Sequence, residues 1–199
     1  MSNKEFIQYN TIRNNAIRLA HSILADDFIP DVIYVSLRGG AYMGNVISEF
    51  FKFVRRGQRP IFYAAVVARS YTDIREHEQV RVDGWTYSPD HLRTGDRVLL
   101  IDDIFDTGRT VNHLADIILQ RGIPRGDLKI AVHDYKIRDY VGEHLPIQPD
   151  YFCRKHEVAT PEEDIWIHYL SHEMVGLLPD EIDRNYEDEE VRRILRQLP

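Results

Sequence analysis

Val98-Leu-Leu-Ile-Asp-Asp-Ile-Phe-Asp-Thr-Gly-Arg-Thr110 opens on four apolar residues and breaks at two carboxylates, Asp102 and Asp103. A third carboxylate, Asp106, follows, and Thr107-Gly-Arg-Thr110 leads into a helical pattern. The run Val98 to Ile101 is continuous rather than alternating, so it predicts a strand covered on both faces, as in parallel sheets. Ligands of such sheets sit just beyond the carboxyl ends of the strands. Thr107, Gly108 and Thr110 supply what a phosphate needs: N–H groups at a helix N-terminus, a glycine for close approach, and short hydroxyls. The paired Asp102 and Asp103 suit sugar hydroxyls or a hard cation. The segment therefore predicts a site for a phosphorylated sugar and its Mg²⁺. The plain alternative is an acidic turn capping a helix, since Asp and Thr are ordinary N-cap residues.

Outward from this stretch, helix and strand patterns alternate. Asn10 to Leu24 predict an amphipathic helix with Ile12, Ala16, Leu19, Ala20 and Ile23 on one face. Asp31 to Leu37 form a second strand-like run, followed by Arg38-Gly39-Gly40 and another helical pattern. Ile61 to Ala68 and Leu128 to Tyr135 read as further strands. This order predicts an α/β fold, a doubly wound and mainly parallel sheet with helices on both faces. At 199 residues the chain is most simply one domain, 1–199. Residues 69–94 predict a lid loop, because the polar stretch from Thr72 to Thr94 is too long for a plain connection. Within it, Asp83-Gly84 signals a short hairpin joining Val80–Gly84 to Trp85–Tyr87. Residues 180–199 form an acidic tail in which Val191, Ile194, Leu195 and Leu198 give a helix one apolar face.

Composition narrows the function classes. Net charge is −7, a poor balance for a protein built to bind nucleic acid. No apolar run is long enough to span a membrane, and Met1-Ser-Asn-Lys-Glu lacks the core of a secretory signal, so a cytoplasmic protein is expected. Cys153 is the single cysteine, which rules out an intrachain disulfide. His168 and His172 have the spacing of a zinc pair on a helix, but only two ligands are evident and the segment reads as strand then loop.

The string from Val98 to Thr110 closely resembles the phosphoribosyl-pyrophosphate (PRPP) signature of type I phosphoribosyltransferases, and an acid at Asp106 resembles the 6-oxopurine branch. Other segments resemble that family in the order it requires. Arg38 and Gly39 match the loop that holds pyrophosphate. Arg69-Ser70-Tyr71 matches a Ser-Tyr pair on a loop that closes during reaction. Lys136 matches the lysine that donates to O6 of the base, Pro149-Asp-Tyr-Phe152 a strand entry, and Asp164 to Tyr169 the purine-stacking segment.

The resemblance implies PRPP and phosphate binding by Arg38, Gly39, Ser70, Tyr71, Asp102, Asp103, Thr107, Gly108, Arg109 and Thr110. It implies purine binding by Lys136, Trp166 and Ile167 within a hood segment, 149–175. Mg²⁺ would be held by Asp102 and Asp103, with Glu173 standing where the family often places an acid for a second ion. Asp106 would act as general base beside N7 of the purine. The implied activity is transfer of phosphoribosyl from PRPP to N9 of hypoxanthine, guanine or xanthine. It yields a nucleoside monophosphate and pyrophosphate in purine salvage, in a homodimer or homotetramer. Two alternatives stand beside it: a regulator of the same fold that senses PRPP or nucleotide, and a phosphoribosyltransferase for another nucleobase such as uracil.

Overall fold

In a computed structural model the chain is described over residues 4–72, 78–141 and 145–198, with backbone alone at 69–72, 78 and 79. The elements run β1 (Lys4–Ile7), α1 (Tyr9–Ala25), β2 (Val32–Leu37), α2 (Ala41–Val54), β3 (Phe62–Thr72) and β4 (Glu78–Trp85). They continue as β5 (Val98–Phe105), α3 (Arg109–Leu119), β6 (Leu128–Arg138), β7 (Tyr151–Val158), β8 (Trp166–Tyr169), α4 (Pro179–Asn185) and α5 (Glu189–Gln197). They group into two compact units, Arg13–Asp164 and a smaller one of Met1–Ile12 with Ile165–Pro199. Among the described residues no helix is long and apolar enough to cross a membrane.

The larger unit holds a six-stranded sheet in the order β4-β3-β2-β5-β6-β7. All its pairings are parallel except β3 with β4. Its central strands β2 and β5 carry the continuous apolar runs Val32–Val35 and Val98–Ile101, as burial on both faces demands. One face packs Val32, Tyr34, Val98, Leu100, Leu128 and Ile130 against Val111, Leu114, Ala115 and Ile118 of α3. On the other face Gly44 of α2 lies so close to β2 that a Cβ there would come within 2.1 Å of Val35 Cγ1. Each fully buried Leu or Ile contributes about 1.5–3 kcal/mol of burial energy. The chain leaves β2 through α2 toward β3, then returns to β5 on the opposite side and proceeds through α3 to β6. The order thus switches between β2 and β5, where open α/β sheets bind ligands at the strands' carboxyl ends.

Within the expected lid, residues 69–72 and 78–85 form an antiparallel ladder, Arg69 pairing with Arg81 and Thr72 with Glu78. Other expectations change. Asp83-Gly84 makes no hairpin: Val67 pairs with Gly84 and Ala68 with Val82, so Asp83 is the extra residue of a bulge inside β4. The segment 149–175 is not one piece, because β7 is the edge strand of the large sheet whereas β8 pairs with β1 in the smaller unit.

In the smaller unit β1 and β8 are parallel, Lys4 opposite Trp166 and Ile7 opposite Tyr169. Ile7, Ile167, Tyr169 and Ile182 are buried. The Lys4 ammonium donates to Glu181 at 2.9 Å and to the Gly176 carbonyl at 2.7 Å. The tail is two helices rather than one, and Asp188 starts the second by accepting from the Val191 N–H at 3.1 Å.

Candidate active site

Two loops meet at the switch point. Behind β2, Arg38 is exposed and the Leu37–Arg38 peptide is cis. Gly39 and Gly40 then pass directly against the end of β5. A Cβ on Gly39 would fall 2.2 Å from the Asp103 carboxyl, and one on Gly40 would fall 2.6 Å from the Ile101 carbonyl oxygen. Only glycine permits this approach, which brings the Arg38–Gly39 backbone beside the acid pair.

Asp102 is buried and Asp103 partly so. The Asp103 N–H donates to Asp102 Oδ1 at 3.0 Å and the Ile104 N–H to Asp103 Oδ1 at 2.9 Å. Burial pushes the Asp102 carboxyl well above the usual carboxylate range, and the negative charge of Asp103 pushes it further, against a hydrogen bond from Ser36. Two adjacent acids that resist ionising together are a donor set a hard dication would relieve. Among the described residues no three His, Cys, Asp or Glu side chains gather at one point. The pair fits Mg²⁺, whose octahedral shell is ordinarily completed by substrate and water oxygens.

After β5 the chain turns through Gly108, whose φ of 76° favours glycine, into the N-terminus of α3. Asn112, buried one turn in, braces this turn by donating to the Gly108 carbonyl at 3.0 Å and the Ile147 carbonyl at 2.8 Å. Asp102, Asp103, Asp106, Thr107, Gly108 and Thr110 line a cavity of 300 Å³. It presents helix N–H groups, hydroxyls and carboxylates to one space, a setting for a phosphate at one end and a polyol at the other.

A second cavity, of 330 Å³, shares Asp106 and Thr107 with the first. Phe105, Ile137, Val141 and Leu145 give it apolar walls, while Arg109, Lys136, Arg138 and Gln148 bring polar groups. Lys136 lies inside β6 rather than past its end, its side chain 5% exposed and held 2.7 Å from Asp164 and 3.3 Å from Asp106. Arg138 donates to Asp164 Oδ2 at 2.5 Å, to Asp106 Oδ1 at 2.5 Å and to the Asp106 carbonyl at 2.6 Å. Burial alone would raise the Asp164 carboxyl, but hydrogen bonds from Arg138, Lys136 and Tyr140 outweigh it and hold it at about 2.

Nine sequence-predicted residues, Arg38, Gly39, Asp102, Asp103, Asp106, Thr107, Gly108, Arg109 and Thr110, thus stand on the two adjoining loops, and Lys136 reaches Asp106 from β6. The Ser70 and Tyr71 side chains lie outside the described residues. In the smaller unit the Trp166 indole is 58% exposed, so it is not a core tryptophan, whereas the Ile167 side chain is buried. Glu173 Oε2 accepts the Tyr169 N–H at 2.8 Å, and the Glu173 carbonyl oxygen lies 3.1 Å from His168 Nε2. Sequence reading missed Arg138 and Asp164. The alternation Lys136-Ile137-Arg138 was the available signal, since a period of two extends a strand and aims both cations to one side.

Residues 5–166 match the family model described as phosphoribosyl transferase domain. The curated "Bifunctional protein PyrR" of Brevibacillus brevis is 29% identical over 167 residues, covering 81% of this chain and 88% of that protein. Its namesake from Halalkalibacterium halodurans is 28% identical over 155 residues, covering 76% and 83%. Among solved structures, a purine phosphoribosyltransferase from Pyrococcus horikoshii Ot3 superimposes with a TM-score of 0.65 at 19% identity, over 88% of this chain and 98% of that one. The Helicobacter pylori xanthine-guanine-hypoxanthine phosphoribosyltransferase gives 0.57 at 17% identity, over 85% and 94%. At such identities the structural likeness speaks for the fold alone.

Proposed function

The chain belongs to the phosphoribosyl transferase domain family, and from that premise we propose that it transfers phosphoribosyl from PRPP to N9 of a 6-oxopurine, releasing pyrophosphate. One observation carries the choice of an oxo base over adenine. Lys136 and Asp106 stand 3.3 Å apart in a cavity that adjoins the phosphate-type turn. A 6-oxopurine carries O6 and N7 side by side on one edge. A lysine donor beside a carboxylate acceptor matches an exocyclic oxygen next to a ring N–H, and opposes the amino group of adenine.

The residues divide the work as follows. N–H groups of α3, with the Thr107 and Thr110 hydroxyls, hold the 5′-phosphate, and Arg109 adds positive charge. Asp102 and Asp103 accept hydrogen bonds from the ribose hydroxyls and would hold Mg²⁺, which supplies positive charge against the departing pyrophosphate. Arg38 and the Gly39 N–H take the pyrophosphate itself, and Ser70 and Tyr71 are assigned to covering it. Lys136 donates to O6, while Asp106 takes the N7 proton as N9 bonds to the sugar. Trp166, exposed in the smaller unit, is the aromatic face proposed for stacking. Ile167 would act through its main chain, its side chain being buried. Glu173 spends Oε2 on the Tyr169 N–H, and we assign it to that turn rather than to a second metal.

A second reading draws on the curated relatives, whose printed name is bifunctional. Uracil also presents an oxo group beside a ring N–H, so the same pair of side chains would suit it, and a second, regulatory role could share the PRPP site. Incubation with PRPP, Mg²⁺ and each of hypoxanthine, guanine, xanthine, adenine and uracil separates the readings. The 6-oxopurines are expected to turn over and adenine to be rejected by up to about 10⁴-fold, as when a buried donor meets a mismatched group. Turnover of uracil alone would transfer the assignment to a pyrimidine enzyme. PRPP binding without turnover of any base would leave the regulatory role.

A further inference from the structure

Asp106, Lys136 and Arg138 line the larger cavity and Asp164 pairs with both cations, a cluster that the transfer chemistry uses only in part. Asp106 is held at two points by one guanidinium: Arg138 Nη2 lies 2.5 Å from its Oδ1 and Nη1 lies 2.6 Å from its carbonyl oxygen. Lys136 adds a contact to the same Oδ1 at 3.3 Å. Both cations therefore grip one oxygen of a carboxylate that is otherwise 45% exposed. Asp164 instead divides its oxygens, Oδ1 to Lys136 at 2.7 Å, and Oδ2 to Arg138 at 2.5 Å and the Tyr140 hydroxyl at 3.0 Å.

We infer that Arg138 is a positioning residue for the base-side proton transfer. It fixes the Asp106 carboxylate in one orientation and, through Asp164, fixes the Lys136 ammonium beside it. This rests on the transfer reading above. The physical case is geometric. A carboxylate this exposed turns about χ1 and χ2 unless both its backbone and one oxygen are anchored, and a planar fork of donors anchors both at once. A lysine in place of Arg138 is a point charge and cannot span the carbonyl, the Asp106 carboxylate and Asp164 together. Asp164 is needed because Lys136 would otherwise face Asp106 alone and collapse onto the oxygen pair the base edge must reach.

An ion-pair cluster can also be purely structural, so the test must separate the two roles. Steady-state rates are measured for wild type, Arg138→Met, Arg138→Lys and Asp106→Asn with Mg²⁺·PRPP and whichever base wild type turns over best, alongside thermal midpoints. Arg138→Met is expected to lose about tenfold to a hundredfold in kcat, the size of a small misplacement at the reacting centre. Its KM for PRPP should stay within about threefold, since the Arg138 contacts are to Asp106 and Asp164 rather than to the groups assigned to PRPP. Arg138→Lys should fall between, and added methylguanidinium should restore part of the Arg138→Met rate while leaving Asp106→Asn unchanged. A wild-type kcat in both Arg138 variants, or a loss that methylguanidinium does not relieve, overturns the inference. If Arg138→Met fails to fold, Arg138→Lys decides alone: a wild-type kcat overturns the clamp and a several-fold loss at unchanged KM supports it. A wild type inactive on every base overturns the transfer reading, and this inference with it, before any variant is compared.

Discussion

Asp164 connects chemistry to stability. Its side chain is 15% exposed, and its carboxyl titrates near 2 instead of the ordinary 3.8, so folding favours its ionised form. A depressed acid contributes stability that is present above the unfolded value and is lost as pH falls through the folded one. The difference of roughly two pKa units corresponds to about 2 kcal/mol at neutral pH. Urea unfolding of wild type and Asp164→Asn should therefore differ by about this amount at pH 6. The gap should close as pH drops from about 4 through 2, below which the wild-type carboxyl is protonated in both states. A gap that does not change with pH would mean that Lys136 and Arg138 are not stabilising this charge.

At the scale of elements, what the sequence disclosed follows from what burial demands of it. Strands β2 and β5 were legible because a strand covered on both faces must be apolar throughout, and α3 because a Thr-Gly-Arg-Thr turn precedes a periodic apolar stripe. The acid pair, the glycine loop and Lys136 could be placed from the same runs. The end of β6 could not, since Lys136 and Arg138 look like surface residues until Asp106 and Asp164, from two other segments, satisfy them. Strand β1 was hidden for a related reason: four residues ending on a single apolar pair have too little periodicity, and only β8, more than 150 residues later, gives them a ladder. Asp83-Gly84 misled because a glycine that signals a turn also serves a bulge. The tight approach of Gly39 to the Asp103 carboxyl was not visible in sequence and is the easiest to test. Gly39→Ala puts a methyl 2.2 Å from that carboxyl, so the loop or the acid must move. PRPP affinity should fall at least about tenfold, as for other small displacements at a reacting centre. Gly39 and Asp103 are only partly buried, so the thermal midpoint should shift by only a few degrees. Unchanged PRPP binding in Gly39→Ala would separate the Arg38 loop from the acid pair.

Taken whole, a chain of net charge −7 must hold a substrate that is itself a polyanion. Long-range attraction cannot help it, so binding depends on local positive potential from Arg38, Arg109, the α3 N-terminus and a dication on the acid pair. Binding to the native state alone stabilises by about 2.7 kcal/mol at a hundred times Kd. For a chain of this size that corresponds to roughly 5–10 °C in Tm. Mg²⁺ with PRPP should produce such a shift, whereas PRPP with EDTA should produce little. Asp102 makes the experiment diagnostic, because its burial beside Asp103 opposes ionisation. Its carboxyl is raised above 3.8, so the folded state disfavours the ionised form, and that cost is absent at low pH and grows as pH rises through the unfolded value. Asp102→Asn removes the cost, and ligand-free it should be more stable than wild type at pH 7, on the order of 1 kcal/mol, as relief of functional-site strain commonly gives. The advantage should fade as pH approaches the ordinary carboxylate value, and the Mg²⁺·PRPP shift should disappear. A destabilised Asp102→Asn at pH 7, or one that keeps the ligand-induced shift, would move the metal and the ribose hydroxyls away from this acid.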